Sequence, residues 1–177
     1  MKAINKIAAL ALTLALALAM GACTTIPAAN ANPPASQQAV TADREGNPIT
    51  LPETIERIIS MGPSNTEILA ALGFADMIVA ADSYSEGIEG IDPDIPMYSM
   101  MTPDGEQIID LEPDVIFVTG MSKAGGDDPF KVVSDAGICV IYIPSSSSIE
   151  GIKEDIRYFG QVMGEEEKAG KLITVME

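Results

Sequence analysis

The side chains able to do covalent or acid–base chemistry are unevenly stocked in this 177-residue chain. It holds 26 acidic residues and two cysteines but no histidine. Without an imidazole no Ser-His-Asp relay can be assembled, and zinc or manganese sites of the usual His-rich kind are excluded. The carboxylates are plentiful, yet no pair of them sits in a catalytic motif, and no nucleophile elbow is present. A hydrolase is therefore disfavoured, and neither a metal nor a cofactor is expected. Gly120 to Asp128 is rich in glycine but lacks the G-x-x-x-x-G-K-[ST] order of a phosphate loop, and it reads as a mobile cleft-edge loop. Cys139 lies inside Ile138-Cys-Val-Ile-Tyr-Ile143, a buried-strand pattern that makes it a small core residue.

Cys23 has a different setting, one that prescribes a reaction. Lys2 and Lys6 precede an almost unbroken Ala/Leu run from Ile7 to Met20, and small residues then lead into the cysteine. This is the pattern of a secretory signal peptide. Gly21-Ala22-Cys23 looks like a bacterial lipobox, in which the signal (1–22) is cut before Cys23 and its sulfur takes a diacylglycerol. The alternative, a retained membrane helix, is disfavoured by length, since the apolar run is shorter than the roughly 20 residues a bilayer requires. Acylation of Cys23 would leave Cys139 without a disulfide partner. Removing the signal leaves eight basic against 26 acidic residues, a formal charge of −18. Such a chain is repelled by nucleic acid and by anionic headgroups, so contact with the membrane is expected through the lipid anchor alone. The expected location is the extracytoplasmic face of the cell membrane.

Residues 23–38, rich in Ala, Pro, Asn, Ser and Gln, read as a flexible tether. Ala39-Val-Thr and Ile49-Thr-Leu flank a turn-like Asp43–Asn47 and suggest a small hairpin. From Arg57 short apolar runs alternate with helical patterns. Strands are expected at Arg57–Met61, Met77–Ala81, Asp114–Thr119 and Ile138–Ile143. The first helix is expected to open at a Ser64-Asn-Thr-Glu67 capping box, bury Ile68, Leu69 and Leu72, and stop at Gly73. A second begins near Pro103 and buries Ile108, Ile109 and Leu111. A third opens at Asp128-Pro129 with Phe130, Val132 and Val133 inward. Ser147-Ser-Ile-Glu150 reads as another capping box, followed by apolar positions at helical spacing. Gly164 interrupts that spacing, leaving one long amphipathic helix or two abutting ones. The alternation implies an α/β fold, a Rossmann-like lobe with a mostly parallel sheet covered on both faces.

Arg57-Ile-Ile-Ser-Met-Gly-Pro-Ser-Asn-Thr-Glu-Ile-Leu-Ala-Ala-Leu-Gly73 resembles the opening of the cobalamin- and iron-siderophore-binding proteins of bacterial ABC importers. Ser83-Tyr84-Ser85, Glu106-Gln-Ile-Ile-Asp-Leu-Glu-Pro-Asp-Val-Ile116 and Ser147 to Lys171 follow in the order that family shows. The resemblance implies two α/β lobes joined by a rigid helix, with ligand held between them. Residues 39–148 would be the N-terminal lobe and 149–177 the start of the interdomain helix, with the second lobe absent. It further implies a binder rather than an enzyme, capturing an iron chelate, heme or corrinoid for an ABC permease. An extracellular binding module with no permease is the alternative.

Ligands of open parallel sheets sit beyond the carboxyl ends of the strands. That rule places Gly62–Asn65, Asp82–Tyr84, Tyr98–Met101 and Gly120–Lys123 at the cleft. The candidate ligand contacts are Ser64, Asn65, Tyr84, Tyr98, Met100, Met101, Met121, Ser122 and Lys123. Tyr84 and Met100 fall on family positions that carry aromatic ligand contacts, and only Tyr84 keeps the ring. Methionines suit a large apolar ligand face, though Tyr98, Met100 and Met101 equally suit packing at the lobe edge. Ser64 is expected chiefly as a helix cap, and Lys123 as a partner for a ligand carboxylate or a solvated lysine. The resemblance places Glu106 where an exposed glutamate meets permease arginines, a pairing that suits bidentate guanidinium.

Overall fold

The computed structural model describes residues 40–176. The signal, Cys23, the tether, Ala39 and Glu177 lie outside the described residues. Five strands, β1 (Ile58–Met61), β2 (Ile78–Asp82), β3 (Met97–Tyr98), β4 (Val115–Thr119) and β5 (Cys139–Ile143), pair in parallel in the order β3-β2-β1-β4-β5. Each connection is a crossover, so both faces of the sheet are covered and the central strands are apolar throughout.

The alternation of side chains along the strands divides the core in two. Ile58, Phe117, Ile141 and Ile143 point to the face covered by α1 (Pro63–Leu72), α4 (Ile149–Met163) and α5 (Glu166–Val175). Phe117 stacks there on Phe159, with ring centroids 4.5 Å apart. Ile59, Met61, Ile116, Val118, Val140 and Tyr142 point to the other face, under Ile108 of α2 (Gly105–Asp110) and Val133 of α3 (Lys131–Asp135).

Several local expectations shift. Helix α1 starts one residue before Ser64, with Pro63 at its first position and Gly62 as an N-cap that offers no side chain. Proline has no N–H to satisfy and a fixed φ that suits the first turn, so the capping-box reading of Ser64 is overturned. The α4 cap is Ser148 rather than Ser147, its hydroxyl accepting the Gly151 N–H at 3.1 Å. Val132 is half exposed while Phe130 and Val133 are fully buried. The 39–51 hairpin reduces to one antiparallel bridge, Ala42 to Pro48, around a turn held by the Asp43 carboxylate. The same carboxylate accepts the Tyr142 N–H at 3.1 Å, which docks the turn against β5.

The segment after Ser148 is two helices. Gly164 takes a left-handed φ of 69° and lets the chain turn between α4 and α5. The helices cross so tightly that a Cβ on Gly160 would lie 2.6 Å from the Cβ of Ala169. Both lie against α1, and Ile156, Phe159, Val162, Ala169 and Ile173 complete that side of the core.

Candidate functional site: a cavity at the strand termini

Strand order reverses beside β1: β2 and β3 extend the sheet one way, β4 and β5 the other. A crevice opens at such a reversal, beyond the carboxyl ends of the strands. A cavity of about 500 Å³ lies there. Its lining combines the head of α1 (Gly62 to Asn65, Ile68), Tyr84 after β2, Met100 and Met101 after β3, and Thr119 and Met121 at the end of β4. Ile143 to Ser146 after β5 and Ile152 and Asp155 of α4 complete it.

Six of the nine expected ligand residues are brought together: Ser64, Asn65, Tyr84, Met100, Met101 and Met121. Tyr84 is 76% exposed and Met121 58%, so each offers apolar surface that the lobe itself does not bury. Met100 is buried in the core beneath them.

The backbone under Tyr84 is tied to α1 by a buried chain of hydroxyls. Asp82 accepts the Tyr84 N–H at 2.9 Å and the Ser85 hydroxyl at 2.5 Å. Ser85 Oγ lies 2.9 Å from Thr66 Oγ1, which lies 2.7 Å from Ser60 Oγ. Donation running from Ser60 through Thr66 and Ser85 to Asp82 satisfies each link, because a carboxylate only accepts. All four side chains are buried, where such a chain is stronger than its separate links in water.

Asp155 is 5% exposed and is the one charged group in the lining among the described residues. Its oxygens accept from Arg44 Nε at 2.9 Å and from Ser146 Oγ at 2.5 Å. Burial works against the Arg44 charge, but Asp155 and Glu154 outweigh it and hold the guanidinium pKa above its usual value.

Three expected contacts lie elsewhere. The Lys123 ammonium is 3.3 Å from the Glu45 carboxylate and 3.2 Å from the centroid of the Tyr142 ring. It is engaged by the docked turn and by β5, and it does not line the cavity. The Tyr142 phenol donates to Asp128 at 2.6 Å, and burial, then Asp128, pushes its pKa up. Tyr98 packs half-buried on the α2–α3 face, its pKa raised by burial and by Asp104. Ser122 is buried, and its hydroxyl has no hydrogen-bond partner among the described residues. Glu106 is exposed in the first turn of α2, outside the cavity, behind an Asp104 cap that accepts the Gln107 N–H at 3.1 Å. Sequence reasoning missed the loop after β5 and the α4 residues Ile152 and Asp155. The strand-terminus rule applies to β5 as well and points to Pro144–Ser146; nothing local marks the α4 pair.

Among the described residues no group of three or more His, Cys, Asp or Glu side chains is placed to hold a metal ion. What the cavity offers is an apolar surface with thioethers, a phenol and one amide side chain, suited to holding a large, partly apolar molecule.

Residues 58–177 match the family model described as periplasmic binding protein. A relative in Bacillus subtilis (strain 168), named an uncharacterized ABC transporter substrate-binding lipoprotein YvrC, is 30% identical over 138 residues. That match covers 76% of this chain and 43% of the relative. The vitamin B12-binding protein of Yersinia pestis (strain Pestoides F) is 31% identical over 124 residues, 68% of this chain and 42% of that one. The chain thus spans less than half the length of these relatives. A possible iron-binding, periplasmic solute-binding protein from Staphylococcus epidermidis superposes with a TM-score of 0.64 at 28% identity, over 69% of this chain and 47% of that one. A periplasmic heme-binding protein from Pseudomonas aeruginosa, 21% identical with a TM-score of 0.63 over 70% of this chain and 43% of that one, shares the fold.

Proposed function

The chain belongs to the periplasmic binding protein family, and on that premise we propose that it is the ligand-receiving N-terminal lobe of an extracytoplasmic solute-binding protein. The solute is an iron chelate, heme or corrinoid, passed on to the permease of an ABC importer. The observation that carries this reading is the cavity at the sheet's reversal point, where Tyr84, Met101 and Met121 present exposed apolar surface beyond the strand ends. An open, one-sided surface of that kind suits a flat, partly apolar ligand shared with a second lobe.

On this reading α5 begins the connector to that lobe, a lipid on Cys23 holds the protein to the membrane, and Glu106 docks on permease arginines. The chain binds its solute and does not transform it. Among the described lining residues the one carboxylate is already held by Arg44 and Ser146.

Isothermal titration with ferric heme, cyanocobalamin and ferric siderophores tests the reading. Saturable one-to-one binding of at least one of these, weakened by Tyr84→Ala, is expected. Binding of none refutes it. In cells carrying the complete importer, Glu106→Ala should lower uptake and leave the titration unchanged; unchanged uptake removes Glu106 from the docking role.

A further inference from the structure

We infer that the turn Asp43–Glu45 positions one wall of the cavity, and that Arg44, itself outside the lining, sets the charge which that wall presents. Both roles belong to the protein without its solute and go beyond the solute-binding reading.

The cavity has two sides. Tyr84 and the head of α1 are tied together by the hydroxyl chain described above. The other side is built from Met121 after β4, Ile143 to Ser146 after β5, and Ile152 and Asp155 of α4. Three consecutive residues of the turn reach all three of these stretches. Asp43 accepts the Tyr142 N–H and the Arg44 N–H donates to Tyr142 O at 3.2 Å, so the turn lies along the outer edge of β5. Arg44 donates twice to α4, from Nε to Asp155 at 2.9 Å and from Nη2 to Glu154 at 3.0 Å. Glu45 pairs with Lys123, two residues beyond Met121, and lies so close over Gly120 that a Cβ there would collide with its Oε1. The Tyr158 phenol donates to Ala42 O at 3.0 Å and fixes the turn to α4 once more.

The turn also holds its own shape, because the Asp43 carboxylate accepts the Glu45 and Asn47 N–H groups at 2.9 and 2.8 Å. Ordering two long side chains usually cancels much of what an exposed ion pair contributes. A backbone already fixed at one end of each pair lowers that cost.

The charge of this wall depends on Arg44. Asp155 is the only charged side chain among the described lining residues, and it is nearly buried. Ser146 gives it a neutral hydrogen bond, and Arg44 gives it the opposite charge from behind the wall. Glu154, the second acceptor of the guanidinium, is 53% exposed and screened by solvent. Without Arg44 the wall would carry an uncompensated carboxylate, the costly state of a broken buried pair. Its field would act through space on any molecule in the cavity and would need no contact with it.

The chain contains no tryptophan, so Ile152→Trp, one helical turn before Asp155, places a single fluorescent reporter in the lining; Met121→Trp is the second reporter. In the full chain in mild detergent, Arg44→Met should raise the ratio of caesium to iodide quenching about twofold or more and leave quenching by neutral acrylamide unchanged. Asp155→Asn added to R44M should restore the ratio. Asp155→Asn alone should shift it the opposite way, and this variant decides if R44M does not fold. A ratio that these substitutions leave unchanged overturns the role of Arg44. Hydrogen exchange tests the positioning. Exchange should speed up about threefold or more at the Ala124 amide in Glu45→Gln and at the Ile152 amide in R44M, while the Tyr84 amide exchanges as in wild type. Equal acceleration on both sides of the cavity, the mark of a turn that only stabilises the fold, overturns the positioning role, and so does no change on either side. Neither measurement uses a ligand, so both decide even if heme, cobalamin and siderophores fail to bind.

Discussion

Replacing Gly160 by alanine sets two opposed effects against each other in the last turn of α4. Alanine gains about 1 kcal/mol over glycine from helix propensity, because glycine loses more backbone freedom on folding. The structure opposes this gain. The new Cβ would lie 2.6 Å from the Cβ of Ala169, and 3.3 Å from Glu165 O and Glu166 Cα of the following segment. Carbon atoms pack best near 3.5–4.0 Å, so the closest contact is about 1 Å too short. The offending atoms are backbone or rigidly attached to it, and no rotamer change relieves them; α5 itself must move. Overpacking of this kind costs about 1–3 kcal/mol, and the displacement also loosens Ala169 and Ile173 from the core. A propensity gain of about 1 kcal/mol does not offset a strain at the upper part of that range, so Gly160→Ala should lose about 1–2 kcal/mol overall. Urea unfolding followed by far-UV circular dichroism measures it. Ala169→Gly removes the atom in closest contact, so the double variant should be more stable than the summed single effects by about 1 kcal/mol, well outside the additivity of independent sites. A G160A protein more stable than wild type, or additive effects in the cycle, would refute the close α4–α5 crossing.

Further outcomes follow from the polar groups. Ser85→Ala removes the donor to Asp82 and breaks the hydroxyl chain, leaving buried oxygens unpaired; a loss of about 1–3 kcal/mol is expected. Hydrogen exchange should speed up at Tyr84 in that variant, and unchanged exchange would deny the tie between α1 and this loop. Tyr142 and Tyr158 are both held above the usual phenol pKa, chiefly by burial. Raised folded-state values mean that the folded protein keeps protons the unfolded chain releases. This stabilisation is complete below pH ~10 and is lost as pH rises, with a slope of about 1.4 kcal/mol per pH unit for each tyrosine. The thiol of Cys139, also pushed up by burial, adds to the same trend from somewhat lower pH. Urea midpoints should therefore fall between pH 9.5 and 11, less steeply in Tyr142→Phe; a flat profile would contradict the burial of these groups.

The strands β1, β2, β4 and β5 were legible because a parallel strand buried on both faces must be apolar at nearly every position. Strand β3 was not, since Met97-Tyr98 is too short to carry a period and pairs only through Ala81 and Asp82. The start of α1 was misread by weighing a serine side chain above the proline before it. The methionines and Tyr84 could be assigned to the cavity because the strand-terminus rule needs only chain order. Lys123 could not be placed that way. Its partners Glu45 and Tyr142 come from a turn 78 residues earlier and a strand 19 residues later, and only the folded chain brings them together. Asn65 was named from the same loop rule, but its burial, with neither amide atom partnered among the described residues, is a property of the folded chain.

On the solute-binding reading proposed above, the hydroxyl chain from Ser60 to Asp82 bears on the rate at which a ligand is captured. It fixes the backbone beneath Tyr84 to the head of α1 before any ligand arrives. A surface that needs no loop to order on contact avoids that share of the entropy lost on association. Only side-chain rotations of the methionines and Tyr84 remain to be settled. On this side of the cleft, diffusion and orientation of the solute, rather than rearrangement of the protein, would set the pace of encounter.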